Sequence, residues 1–375
     1  MLLFPILGFC QLTIGNGYHV LEITGAATTY YNYRFLKPDL NDFKKNRFKL
    51  RDAQVQFEGR MGDKYEYELQ FDLVDLAGSA LEPDPENPGL MDCFLIYKGI
   101  SWFDIKVGWS KTPYSRSSLI PFIYSPYWQR PEFLRGDIFS RRDVGVTIQG
   151  TYWKQRLNVF LGAYTGLGEV SLKGNNDRSG KLEYMTRVEL AYPSRYKYRS
   201  VDESKSPQPM VVLGANARYA NKTLDGGGFP AYAIGEYSIK VIDGQRFCYG
   251  TDLAAQYKGF SGQFEWHYMY GEPQYANSPL LHGRQTSFFS MSGFAGELTY
   301  FVKKWNLIIS TRYEEFDLSD LVEGKSQRIY SALAYQLNGF DSMIKFQYWG
   351  ILAEEVNDPL KWTDQVRIGW CYRFR

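Results

Sequence analysis

Residues Lys64 to Val74 read KYEYELQFDLV, and the alternation in that stretch decides the fold. Tyr65, Tyr67, Leu69, Phe71 and Leu73 fall on one face of an extended strand, with Glu66, Glu68, Gln70 and Asp72 on the other. Successive strand side chains point to opposite faces, so one face suits hydrocarbon and the other suits water. Gly262 to Tyr270 repeats the pattern, with Phe264, Trp266, Tyr268 and Tyr270 set against Gln263, Glu265 and His267. Gln365 to Phe374 does so again, with Val366, Ile368, Trp370, Tyr372 and Phe374 against Arg367, Gly369 and Arg373. A soluble sandwich alternates too, but its apolar face is seldom this aromatic over so many strands.

Period-two alternation cut by turn residues recurs along nearly the whole chain. It predicts strands near 18–35, 47–60, 64–76, 91–99, 102–110, 143–152, 155–165, 182–192, 209–220, 247–258, 260–270, 288–302, 304–316, 326–338, 340–352 and 364–375. That is about sixteen, an even number, as a closed antiparallel bacterial barrel requires. Short turns are expected at Met61-Gly62-Asp63, Gly99-Ile100-Ser101, Lys258-Gly259, Lys303-Lys304 and Asn338-Gly339. Long loops alternate with them at 75–90, 111–142, 166–181, 221–246, 271–287, 315–325 and 353–363. Short turns on one rim and long loops on the other form the asymmetry of outer-membrane barrels. The stretch 193–208 is too long for the short-turn side. In the second strand Phe48 and Leu50 are out of phase with Ala53, Val55 and Phe57. A bulge near Arg51-Asp52 reconciles them, because one extra residue shifts the phase by one.

Composition points the same way. Aromatics make up 17% of 375 residues, with 30 Tyr, 25 Phe and 9 Trp, yet mean hydropathy is below zero. Interface girdles of aromatics around a polar lumen account for both. The 43 basic and 41 acidic residues leave a net charge of only +2, so no bulk basic field points to nucleic acid. Cys10, Cys93, Cys248 and Cys371 lie far apart, and the three histidines are His19, His267 and His282. Neither a zinc motif nor a disulfide framework follows from that spacing, and no cofactor is expected. The opening MLLFPILGF is too short to span a bilayer as a helix. It reads as a signal-peptide remnant over 1–10, with Gly8 and Cys10 at the −3 and −1 positions. Residues 11–375 then form a single barrel.

The loop 111–142 is built unlike a surface tether. Pro113, Pro121, Pro126 and Pro131 restrict it, and Tyr114, Phe122, Tyr124, Tyr127, Trp128, Phe133 and Phe139 could pin it to a wall. Lys111, Arg116, Arg130, Arg135, Arg141 and Arg142 face only Glu132 and Asp137, a local positive excess. Positive groups at a constriction lower the barrier for anions, so these six are the candidate constriction and anion-binding residues. Projected lumen charges elsewhere are mixed. Lys106, Arg187, Arg218, Arg312, Lys345 and Arg367 fall on inward faces, as do Glu66, Glu68 and Asp72, and also Glu58, Glu189, Asp252, Glu265, Glu297 and Glu314. Basic and acidic groups on opposite walls would give a transverse field.

Short motifs around this loop resemble a known family. They are Phe48-x-Leu50-Arg51-x-Ala53, Phe71-Asp72, Gly108-x-x-Lys111-x-Pro113-Tyr114-Ser115 and Arg141-Arg142-Asp143-x-Gly145-Val146. The chain resembles the bacterial porins typified by the phosphate-selective porins O and P, particularly their Bacteroidetes relatives. The resemblance implies a sixteen-stranded outer-membrane barrel, usually trimeric, with the long third outer loop folded inward. Phosphate-selective members also line the pore with a basic ladder and a constriction lysine. Only the loop-edge residues match here, and the acidic strands two and three depart from that pattern.

The expected function is a passive channel for small anionic or polar solutes, in contact with outer-membrane lipid and assembled as a homotrimer. The alternative is a non-conducting accessory barrel within a larger envelope complex. An enzyme would need a nucleophile and base held together, and no G-x-S-x-G motif occurs.

Overall fold

The computed structural model describes residues 12–15, 17–35, 46–76, 89–134, 140–168, 172, 179–195, 197–223, 242–353 and 364–374. The leader expected over 1–10 and the loop tips around 77–88, 224–241 and 354–363 therefore lie outside the described residues. Seventeen strands form one sheet. They are β1 (Leu12–Gly15), β2 (His19–Arg34), β3 (Arg47–Met61), β4 (Tyr65–Asp72), β5 (Leu90–Tyr97) and β6 (Asp104–Lys111). Next come β7 (Arg142–Tyr152), β8 (Leu157–Tyr164), β9 (Glu183–Tyr192), β10 (Met210–Lys222) and β11 (Gly244–Tyr257). The circuit continues with β12 (Phe260–Pro273), β13 (Phe289–Val302), β14 (Leu307–Asp317), β15 (Ser326–Asn338), β16 (Ser342–Ala353) and β17 (Gln365–Phe374). Each strand from β2 onward pairs antiparallel with the next, and β17 pairs back onto β2, closing a sixteen-stranded barrel.

β1 is the extra strand, and the alternation in the sequence misses it. It pairs with β2 from Leu12↔Ile23 to Gly15↔Val20. β17 pairs with the same edge of β2 but stops at Phe374↔Gly25. β1 thus continues the row that β17 leaves unfinished, and Val20 to Ile23 gain ladder partners. Unpaired backbone groups cost heavily in a bilayer.

The sixteen expected strands are present, with small shifts at their ends. β4 stops at Asp72, and Leu73–Leu76 form one helical turn instead of more strand. β10 and β11 reach to Lys222 and back to Gly244, so the connection expected at 221–246 is shorter. The bulge is where the phase slip predicts it: Thr28 pairs with Asp52 and Thr29 with Leu50, leaving Arg51 extra. Past it Asp52, Gln54, Gln56 and Glu58 alternate with Ala53, Val55 and Phe57. The turn Lys258-Gly259 has φ of 49° and 92°, the two positive values of a type I′ hairpin.

The interior is packed rather than hollow along β9–β17. Tyr114, Tyr127, Trp128 and Phe133 of the 112–141 connection are fully buried. Tyr114 and Phe133 pack with Met185, Met269, Phe289 and Met291. Tyr127 packs on Tyr330 and Trp349, and Trp128 on Tyr30 and Cys371. Burying such a side chain stabilises by roughly 2 kcal/mol, so the aromatics hold this segment to the wall.

Candidate permeation site

Polar bonds fix the course of residues 112–134 and 140–141. Their partners are side chains on the inward faces of the strands. Ser115 Oγ donates to Glu265 at 2.8 Å, Tyr127 Oη lies 2.7 Å from Ser310 Oγ, and the Trp128 amide donates to Gln347 at 2.7 Å. The Glu132 amide donates to Glu314 at 2.7 Å. Arginines of the wall grip loop carbonyls: Arg187 donates to Tyr114 O at 2.8 Å, Arg218 to Ser140 O at 2.8 Å and Arg312 to Gln129 O at 3.0 Å. Arg367 reaches the Gln129 side chain at 2.7 Å. Lys345 lies 4.3 Å from the Phe122 ring centroid, a cation–π contact.

The same wall balances its own charge. Arg187 pairs with Glu189 at 2.8 Å and Asp252 at 2.7 Å. Arg218 and Arg246 share Glu183 at 2.5 and 2.9 Å. Five of the six projected lumen cations, Arg187, Arg218, Arg312, Lys345 and Arg367, therefore lie on strands that hold the segment. The sixth, Lys106, donates to the Lys111 carbonyl at 3.3 Å.

A cavity of about 310 Å³ remains on the opposite side, between the segment and β2–β5. Its wall is Thr24, Thr28, Asp52, Gln54, Gln56, Glu58, Glu68 and Gln70, and its loop side is Pro121 to Tyr124 with Arg130 and Arg141. Lys111 and Arg373 complete the basic lining. Gln56 Nε2 donates to Glu68 at 3.1 Å and also to Glu58, which fixes both carboxylates. Asp52 pairs with Arg51 at 2.9 Å. Arg130 donates to the carbonyls of Ser117 and Ile120 at 3.1 and 2.9 Å, and Arg141 to that of Ser118 at 3.2 Å. These carbonyls position the two guanidiniums.

Of the six loop candidates, three meet at this cavity: Lys111, Arg130 and Arg141. Arg142 instead makes two hydrogen bonds to Asp92, at 3.2 and 2.9 Å, inside the wall. Arg116 lies over the Tyr198 ring at 5.2 Å, and Arg135 falls outside the described residues. Among the acidic candidates Glu68 lines the cavity, whereas Asp72 is buried and accepts from the Ala53 amide at 3.1 Å. Glu66 pairs with Lys98 at 2.6 Å near the short-turn rim. The sequence reading misses Asp52 and Arg373, although the bulge at Arg51 would have turned Asp52 inward.

A second segment enters from the other rim. Residues 193–209, the overlong connection, carry Val201 into a cluster with Phe301, Ile308, Phe340 and Met343. Tyr124 packs against this cluster, and Arg199 lies 4.5 Å from the Tyr124 ring. Asp202 accepts the amides of Ser206 and Gly259 at 2.8 and 2.9 Å, tying the bend to the neighbouring turn. Burial pushes the Tyr198 hydroxyl up to about 12, so it stays a donor to Glu189 at 2.7 Å.

The family model of phosphate-selective porin O and P matches residues 26–224. The chain is similar to Salmonella typhi OmpF solved with daunomycin: 11% identity, TM-score 0.61, 97% of this chain and 100% of that one. It is similar to an anion-selective porin from Comamonas acidovorans at 10% identity and TM-score 0.58, covering 95% and 100%. Vibrio cholerae OmpT in trimer form aligns at 10% identity and TM-score 0.57, covering 95% and 99%. A comparison with curated proteins gives no match.

Proposed function

The chain belongs to the phosphate-selective porin O and P family and is a barrel of the bacterial outer membrane, and from that premise we propose that it is an anion-preferring diffusion channel. The 112–141 segment is its constriction loop, and small solutes pass between that loop and β2–β5. One observation carries the reading: Lys111, Arg130, Arg141 and Arg373 line one cavity with Glu58 and Glu68 across from them. Asp52, the third carboxylate, is already paired with Arg51. Four basic side chains line the cavity with three carboxylates, one of them paired with Arg51, and this basic excess favours anions while the opposed charges set a field across the passage. Small phosphate-like or carboxylate solutes fit it, because guanidinium offers them a planar donor fork.

Homotrimeric assembly fits this reading. β2 and β3 turn the small residues Ala27 and Ala53 outward in paired register, a sector where a second barrel can approach. The trimer form of the Vibrio cholerae neighbour supports it.

Planar-bilayer recording in a potassium chloride gradient tests the proposal. Open channels whose reversal potential favours chloride are expected, with inorganic phosphate reducing the chloride current. A second reading, a closed accessory barrel, draws on the meeting of the two inserted segments at Tyr124 and Arg199. Correctly folded protein that never conducts would establish that reading instead.

A further inference from the structure

On the outer face of the barrel, β10–β16 enclose an apolar groove of about 710 Å³. Small residues open it: Ala255 faces Gly262 in one strand pair, and Thr311 faces Ser331 in another. Phe260, Tyr300, Leu333 and Phe346 stand along its edge. Leu298 leans over Gly262, its Cδ2 3.3 Å from where a Cβ would sit there.

The groove opens toward the rim of short turns, which in such barrels faces the periplasm. Lys258 sits in the turn between the groove residues Tyr257 and Phe260, its Nζ 4.9 Å from the Tyr257 ring. Lys303 and Lys304 occupy the next turn of that rim, between the groove residues Tyr300 and Ile309. All three lysines are exposed. Lys205 reaches the same turn, its Cε 3.2 Å from where a Cβ on Gly259 would lie. The carboxylates nearby are engaged elsewhere: Asp202 with amides, Glu203 with Gln336 at 3.1 Å. Trp305, 61% exposed, adds an aromatic at interface depth.

We propose that this groove holds one anionic phospholipid of the periplasmic leaflet, its acyl chains in the groove and its phosphate on Lys258, Lys303 and Lys304. Apolar walls alone accept any lipid; the cationic rim directly beneath them selects the headgroup. Two copies joined through this face would bring like charges together, so a lipid is the occupant that the charge favours. The assignment goes beyond permeation and does not depend on it.

Native mass spectrometry of the purified protein, from micelles doped with phosphatidylglycerol or phosphatidylcholine, tests the assignment. The expected result is one retained phosphatidylglycerol per chain, with phosphatidylcholine retained at least tenfold less. The triple variant K258Q/K303Q/K304Q should lower phosphatidylglycerol retention to the phosphatidylcholine level. Ser331→Trp, which fills the groove and leaves the lysines, should lower it as far. Heat-modifiable gel mobility confirms that both variants fold. Equal retention of the two lipids by the wild type, or undiminished phosphatidylglycerol on the triple variant, would overturn the proposal. So would Ser331→Trp dissociating an oligomer, which would make the groove a contact between copies.

Discussion

Arg142 and Asp92 form a charge pair inside the wall. Both are buried, and two hydrogen bonds join them. Removing one partner of such a pair typically costs about 3–5 kcal/mol. Arg142→Met should therefore lower the midpoint of urea unfolding in detergent, and adding Asp92→Asn should recover part of the loss. Arg130 and Arg141 differ in lining the cavity, where they donate to loop carbonyls. R130A/R141A should move the reversal potential toward potassium, with the chloride-to-potassium permeability ratio falling at least twofold. The sequence shows six cations in one loop, but it cannot sort them. Sorting needs the partners, and Asp92 lies 50 residues from Arg142 while Asp252 lies 65 from Arg187.

Among the elements, β3 shows how one residue sets a wall. The extra Arg51 lets Phe48 and Leu50 face outward while Asp52, Gln54, Gln56 and Glu58 face the cavity. Deleting Arg51 moves every residue before it to the other face. The deletion variant should fail to reach the heat-modifiable folded form, whereas Arg51→Ala should fold. The phase slip made this bulge legible in the sequence, as did the alternation that places β2 to β17. β1 was not legible, since four residues are too few to show a period. The 193–209 connection was legible only as an anomaly of length. Its insertion depends on Val201 meeting Phe301 and Met343 across the lumen, contacts that no local pattern encodes. Replacing residues 198–205 with a short Gly-Ser turn should raise single-channel conductance about twofold, since loss of this segment widens the passage at its periplasmic end.

At the scale of the whole molecule, the lumen is divided. Aromatics and ion pairs on β9–β17 anchor the long segment, and the open volume lies against β2–β5. The division follows the ion pairs: Glu183, Glu189 and Asp252 pair with Arg187, Arg218 and Arg246 of one wall. The other wall presents Gln54, Gln56, Gln70, Glu58 and Glu68 to the cavity. Which wall would do which could not be read from composition, because inward basic and acidic residues occur on both.

The proposed route for solutes runs between the loop and β2–β5, and a thiol placed in its wall tests that route. Gln56→Cys, in a background with Cys10, Cys93, Cys248 and Cys371 replaced by serine, puts one reactive group in the cavity wall. A bulky methanethiosulfonate reagent should then cut the single-channel current by more than half, and leave the cysteine-free parent unaffected. Full current through channels shown by mass to carry the label at residue 56 would exclude this route, because solutes would then be crossing elsewhere.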